Sequence, residues 1–282
     1  MSKQQVYDKV DILGVEIDVV SPSDAIDYIM SISEPGRPAA YVVKPYVEFL
    51  DRSYREFDIQ ELLNDADLAV ADGIALVWAA AYLYAGPRSP WRFVKTLAQI
   101  MIAPRELAWP LTGRAAGTNF TWPLLETAAR TGRRIALVGT PRSSNIEQTA
   151  AAITRRLPNA KMVLSHTGTD PEAHDGQQSR RWLNQLALAI NDSQADIILL
   201  GLGFPRQEFA AAYLRGQLKH GVIIGEGGTF DYTSFGGHRA KAPTVMQTTG
   251  LEWLWRLMLE PSRLKRHLAI PRFIWRVWLS RR

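Results

Sequence analysis

Asp72 stands where the apolar run LAVA gives way to Gly73 and then to IALVWAAAYL. A carboxylate at a strand's end, at the rim of a dry pocket, can take the proton from an attacking hydroxyl. The same Asp-Gly pair also reads as an ordinary turn or helix cap. Asp65 and Asp67, just upstream, have the spacing of an acid pair that holds a metal against a diphosphate, yet they precede their strand. They therefore read as a helix-to-strand connection. GLGFPRQE (201–208) offers Gly203, Pro205 and Gln207 at a helix start, where backbone N–H groups suit an anion or the polar edge of a base. It is not GxGxxG, so a dinucleotide fingerprint fails. GEGGTFD (225–231) supplies Gly227, Phe230 as an apolar anchor and Asp231, with Arg239 and Lys241 beyond it. That stretch is either a phosphate-facing loop or a long turn. His166, His174, His220, His238 and His267 show no metal spacing, so they receive no ligand role; neither a metal nor a cofactor is expected.

These stretches need a scaffold that gathers loops at one edge. From Arg134 onward short apolar runs alternate with amphipathic ones, as a parallel sheet with crossover helices requires. RIALVG (134–139, ending on Gly139), KMVLS (161–165), ADIILLG (195–201) and GVIIGEG (221–227) read as strands. NIEQTAAAITRRL, about 176–191 and RQEFAAAYLRGQLKH read as helices, the first capped by Ser143 or Ser144. The first half is less regular. VDILGVEIDVV suggests a strand or hairpin, SPSDAIDYIMSI a capped helix, AAYVVKP a strand, YVEFLDRSYREFDIQELLN helical material and DLAVADG a short strand. The fold class expected is α/β, a Rossmann-like parallel sheet with flanking helices. Ligands in such sheets bind outside the carboxyl ends of the strands, where ADG, GTP, GLGFP and GEGGTFD all fall.

Composition narrows the function classes. A chain of 282 residues, 46% hydrophobic and 22% charged, can bury a substantial core. Its formal charge of +5 permits anionic partners without choosing among them. Without cysteine, disulfides, thiolate metal sites and cysteine nucleophiles are excluded. The polar start MSKQQVYDKVD lacks a signal-peptide core, and the uncharged run from Gly73 to Pro87 falls short of the roughly 20 residues of a bilayer span. A soluble or peripheral protein is expected.

The carboxyl-terminal stretch GLEWLWRLMLEPSRLKRHLAIPRFIWRVWLSRR is dense in Trp and Arg. A helix over 250–259 ends or restarts at Pro261, and Pro271 marks a second break before a last helix over 272–282. Phe273, Ile274, Val277 and Trp278 share one side of that helix, with Arg272 and Arg276 at its edge. This suits an interfacial helix on an anionic membrane; the alternative is a helix that packs its tryptophans into its own domain. Residues 86–112, bounded by prolines, read as an excursion from the sheet. Trp91, Phe93, Val94, Leu97, Ile100 and Met101 there make either a second lipid-facing or acceptor-gripping helix or a surface insertion packed on the protein.

NDADLAVADGIALVWAA, GLGFPRQE, GEGGTFDYTSFGG and GLEWLWRLMLEPSRLKRHL occur in an order that resembles the WecG/TagA/CpsF family of bacterial glycosyltransferases. The resemblance implies an inverting transfer of a sugar of the N-acetylmannosamine, uronic acid or hexose type. The donor would be a UDP-sugar and the acceptor a polyprenyl-diphosphate-linked saccharide, in cell-surface or exopolysaccharide synthesis. It implies no nucleic-acid partner, a cytoplasmic protein peripheral on the inner face of the cell membrane, and leaves homo-oligomers open. It also implies a GT-E type catalytic domain, residues 1–248, and an appendage, 249–282, that completes the site and associates with the membrane.

By motif, Asp72 matches the general base, Gln207 the glutamine near the donor, Arg114 of TGRAAGTNF an arginine on the pocket wall, and Arg256, Arg263 and Arg266 the appendage arginines. Both diphosphates are anionic, and with no metal, guanidinium groups must stabilise the charge on the departing phosphate. Four positions depart from the family pattern: Lys44 for asparagine, Val42 for threonine, Asn119 for aspartate and Lys241 for arginine. All lie in motifs placed around the site, so the sugar need not be N-acetylmannosamine. Two rival readings are a nucleotide-binding oxidoreductase, disfavoured by the missing GxGxxG, and a non-catalytic basic protein that binds membrane or nucleotide.

Overall fold

The computed structural model of the chain describes residues 6–87, 89–102, 107, 109–140, 145–168, 177–243, 246, 252–259 and 268–280; the side chains of residues 101, 102, 252, 253 and 256 are not among those described. Its centre is a six-stranded sheet whose neighbouring strands all run parallel. In chain order the strands are β3 (Ala40–Val43), β4 (Leu68–Ala69), β5 (Arg134–Gly139), β6 (Lys161–Thr167), β7 (Ile197–Gly201) and β8 (Val222–Gly225). In space they lie β4-β3-β8-β7-β5-β6. AYVV, IILLG and VIIG of the inner strands are buried throughout, because helices cover both faces of the sheet. The edge strand β6 instead leaves alternate residues exposed. The expected α/β parallel architecture is the one observed.

VDILGVEIDVV forms the antiparallel hairpin β1 (Lys9–Ile12) and β2 (Val15–Asp18), apart from the main sheet. Asp18, at its end, accepts the N–H of Ala69 at 2.7 Å and so fixes the short β4. Ser21 caps α1 (Pro22–Ile32) as its sequence suggests. The helical material after β3 divides at Tyr54 into α2 (Val47–Ser53) and α3 (Phe57–Asn64). Helix α6 (Gly117–Arg130) precedes β5, α7 (Ile146–Arg156) follows it, α8 (Gln177–Ser193) precedes β7, and α9 (Arg206–Arg215) follows β7. The cap of α7 differs from expectation: Asn145, not a serine, accepts the N–H groups of Glu147 and Gln148, while Ser143 and Ser144 lie outside the described residues.

Helix α4 (Ile74–Tyr84) is buried on every side from Leu76 to Leu83. An apolar run with no amphipathic face belongs in a core, and this one is covered by two further helices. One is α5 (Pro90–Ile102), the body of the 86–112 excursion. The other is the carboxyl-terminal helix Ala269–Leu279. Phe273 and Val277 of that helix are fully buried, and Phe273 meets Trp78 edge-on at 6.5 Å. Trp278 packs on Phe93 of α5 at 4.6 Å.

The face assigned to lipid by sequence is therefore covered by protein. Its arginines are engaged as well: Arg272 and Arg276 reach the buried carboxylate of Asp51 on α2 at 2.8 and 2.7 Å, alongside Arg55 at 3.1 Å. An apolar stripe flanked by arginines suits a membrane and a protein groove equally, and Asp51, 221 residues before Arg272, decides between them. Among the described residues no helix is long and apolar enough to cross a membrane.

Candidate active site

Four loops meet at the carboxyl edge of the sheet. After β4 the chain continues to Asp72, whose N–H donates to the Pro45 carbonyl at 2.8 Å, so the loops leaving β3 and β4 are joined. Asp72 and Gly73 are half-buried. Gly73 has φ of +99°, a region that side chains other than glycine's rarely adopt, and it lets the chain turn from the strand directly into α4. Ala115 donates to the Ala71 carbonyl at 2.8 Å. That bond brings the arginine motif to the acid: Arg114 is half-buried one residue from Ala115, as Asp72 is from Ala71. Two motifs separated in sequence thus converge on one rim.

Lys44, directly after β3, is buried and its ammonium lies 2.7 Å from Glu226, which directly follows β8 and is completely buried. Thr121 of α6 donates to the same Glu226 oxygen at 2.7 Å, and Lys44 also faces the Phe120 ring at 5.6 Å. Lys44, which its motif places around the site, thus has its ammonium paired with an internal carboxylate. Glu226 received no role from sequence, although a signal was present. Lys44 and Glu226 are opposite charges, each closing an apolar strand run, and only mutual pairing makes such burial tolerable.

Gln207 is also an internal clip. Its amide oxygen accepts the N–H of Gly203 at 3.2 Å and of Gly227 at 2.9 Å, and its amide nitrogen donates to Glu208 at 2.8 Å. A Cβ on Gly225 would lie 2.5 Å from that nitrogen, which is why β8 ends in glycine here. Glu208 is buried, and desolvation pushes its carboxyl up to about 7 against the opposing pull of the Gln207 hydrogen bond and the Lys44 charge. Among the described residues, Glu208 Oε2 and Glu226 Oε1 find no hydrogen-bond partner.

Pro205 leads into α9, and Phe204 before it stacks on Phe49 of α2 at 3.8 Å. Phe230 is almost wholly buried, packed edge-on to Phe235 at 5.8 Å, so it anchors its loop in the core and does not present a ring to a ligand. Asp231 pairs with the buried Arg239 at 3.0 Å, and Arg239 also donates to the Gly228 carbonyl at 3.2 Å. GEGGTFD is thus a built turn held from within, and Arg239 belongs to it. Gly139 ends β5 and accepts from Gly168 at 2.9 Å; residues 141–144 of the GTP loop lie outside the described residues.

Asn119 and Lys241, two of the departures from the family pattern, are partners: the Lys241 ammonium donates to the Asn119 amide oxygen at 2.6 Å. An aspartate and an arginine there would form a neutral pair. Asn119 and Lys241 keep the contact and leave one positive charge on this rim.

Asp65 and Asp67 both face Arg215, Asp65 in hydrogen-bond contact and Asp67 at 3.6 Å, and Asp67 further accepts the Tyr41 N–H at 2.9 Å. They brace the α3–β4 connection, as their place before the strand suggests. Among the described residues no cluster of three or more His, Asp or Glu is placed to hold a metal ion. Arg256 lies on the helix Glu252–Leu259, but its side chain, and Arg263 and Arg266 altogether, lie outside the described residues.

Asp72 stands, half-buried, at the edge where these motifs converge. The chain matches the Glycosyl transferase WecG/TagA/CpsF family over residues 10–96 and 98–282, nearly its whole length, and it belongs to that family.

Proposed function

We propose that this glycosyltransferase inverts the anomeric centre of a UDP-sugar and attaches the sugar to a polyprenyl-diphosphate-linked saccharide at the inner face of the cell membrane, in cell-surface or exopolysaccharide synthesis. The observation that supports this most is the setting of Asp72. It is half-buried at the carboxyl end of β4, its backbone is held by Pro45, and Arg114 is brought to the same rim by the Ala115–Ala71 hydrogen bond.

In the reaction, the Asp72 carboxylate takes the proton of the acceptor hydroxyl while that oxygen forms its bond to the anomeric carbon. The bond from that carbon to the β-phosphate oxygen breaks, and its electron pair leaves with UDP. Guanidinium groups meet the charge on the departing diphosphate. Arg114 and, from the appendage, Arg256, Arg263 and Arg266 take this role without a metal. Lys44, Gln207, Gly203, Gly227 and Phe230 hold the loops in register.

A panel of UDP-sugars with a short-chain polyprenyl-diphosphate acceptor tests the reading. Acceptor-dependent UDP release is expected from the native protein, undiminished by chelator and abolished in Asp72→Asn. Full transfer by Asp72→Asn would remove Asp72 as the base.

A further inference from the structure

Glu226 directly follows β8, and its side chain is completely buried. Its backbone is fixed on both sides, since its N–H donates to the Leu200 carbonyl at 2.8 Å and its own carbonyl accepts from Thr229 at 3.0 Å. One carboxylate oxygen, Oε2, accepts from both the Lys44 ammonium and the Thr121 hydroxyl, each at 2.7 Å. The other, Oε1, has no hydrogen-bond partner among the described residues. Two segments, 182 and 105 residues away in sequence, therefore meet on a single buried atom.

Both segments lead to Asp72. Lys44 is followed by Pro45, whose carbonyl accepts the Asp72 N–H at 2.8 Å. The proline ring fixes its own φ and restricts the residue before it, so a displacement at Lys44 reaches that carbonyl with little slack. Thr121 lies in the second turn of α6, and just before that helix Ala115 donates to the Ala71 carbonyl at 2.8 Å, with Arg114 next to it in the chain. The Ala71 carbonyl and the Asp72 N–H belong to one planar peptide unit. That plane is thus pinned at both ends, and each pin traces back to Glu226 Oε2.

We infer that Glu226 is a positioning residue for Asp72: through Lys44–Pro45 on one side and Thr121–α6 on the other, one buried oxygen sets the peptide plane from which the acid projects and holds Arg114 beside it. The inference rests on the reading of Asp72 as the general base, and it extends that reading by giving a buried ion pair a part in the rate. A general base must stand within hydrogen-bond reach of the proton it takes. A misplacement of about 1 Å costs about 100-fold in rate. Apolar side chains can fill the volume of the pair, but only a carboxylate that accepts from both an ammonium and a hydroxyl fixes the direction of the two arms.

The test measures kcat and KM of the full chain well below the melting temperature of every variant, with the UDP-sugar that the native protein transfers fastest and a short-chain polyprenyl-diphosphate acceptor. The double variant Lys44→Met, Glu226→Leu should recover much of the stability that Lys44→Met loses. Its kcat should nonetheless stay about 10- to 100-fold below the native value, with the donor KM changed by less than about threefold. Thr121→Val keeps the shape of the side chain, removes the hydroxyl donor and leaves the ion pair; it should lower kcat by about 3- to 10-fold. Thr121→Ser, which keeps the hydroxyl, should restore most of that rate. A native kcat in the double variant would make Glu226 a stabilising residue alone and overturn the inference, as would equal kcat in Thr121→Val and Thr121→Ser. Either result leaves the functional reading standing provided that Asp72→Asn is inactive. A native protein without acceptor-dependent UDP release, or Asp72→Asn at the native rate, would overturn the functional reading and this inference with it.

Discussion

The loop after β4 and the loops after β7 and β8 occupy the same edge of the sheet and carry motifs of equal prominence, yet they are built in opposite ways. Asp72 is half-buried, and its backbone N–H is held by the Pro45 carbonyl. Gln207, Glu208 and Glu226 are sealed, and their polar atoms serve Gly203, Gly227, Lys44 and Thr121. Chemistry needs an acid that a substrate can reach, while a fixed pocket needs loops that do not move. On the proposed function, the motif residues divide between those tasks.

Substitutions in the sealed region should therefore act on stability first. Lys44→Met strands the Glu226 carboxylate without its cation and should cost about 3–5 kcal/mol in denaturant unfolding. Adding Glu226→Leu should recover much of that, because a buried pair replaced by apolar groups is far better tolerated than a broken one. Gln207→Ala removes the acceptor of two backbone N–H groups and should cost about 2–3 kcal/mol. If it instead left stability unchanged and raised only the donor KM, Gln207 would belong with Asp72 and the contrast would fail.

A smaller effect sharpens the comparison through pH. Burial raises the Glu208 carboxyl from 4.5 to about 7, so the folded protein keeps a proton there that the unfolded chain gives up earlier. The stability linked to that proton is fully present below the unfolded value and is lost as pH rises through the folded one. Glu208→Gln cannot ionise, so its unfolding free energy should match the native protein's in acid and exceed it by on the order of 1–3 kcal/mol at about pH 8. A native curve with no fall across that window would place a counter-charge beside Glu208. The smallest effect is expected of Asn119→Asp, which restores an ion pair with Lys241 on an exposed rim and should change stability by less than about 1 kcal/mol.

The fold was legible because β-branched and leucine runs alternate with amphipathic segments, so IILLG and VIIG declare themselves as inner strands. Asp72 was legible as an acid at a strand's end. The partners of the motif residues were not. Glu226 lies 182 residues from Lys44, and Lys241 lies 122 from Asn119, distances that no local pattern spans. Phe273 and Val277 illustrate the same limit, since amphipathic spacing states that a face is covered without stating by what. Phe230 reads from sequence as an apolar anchor without saying for what, because aromatic residues after glycine turns serve both ligands and cores, and only burial separates the two.

The division of labour at this edge is tested most directly by Asp72→Asn, with the transfer rate at saturating donor and acceptor and the melting temperature measured on the same preparation. The expected result is a fall in kcat of about 100-fold to 10,000-fold with the melting temperature nearly unchanged, as for a general base on a rigid scaffold. Transfer at the native rate, or a loss of activity that merely follows a loss of stability, would contradict it.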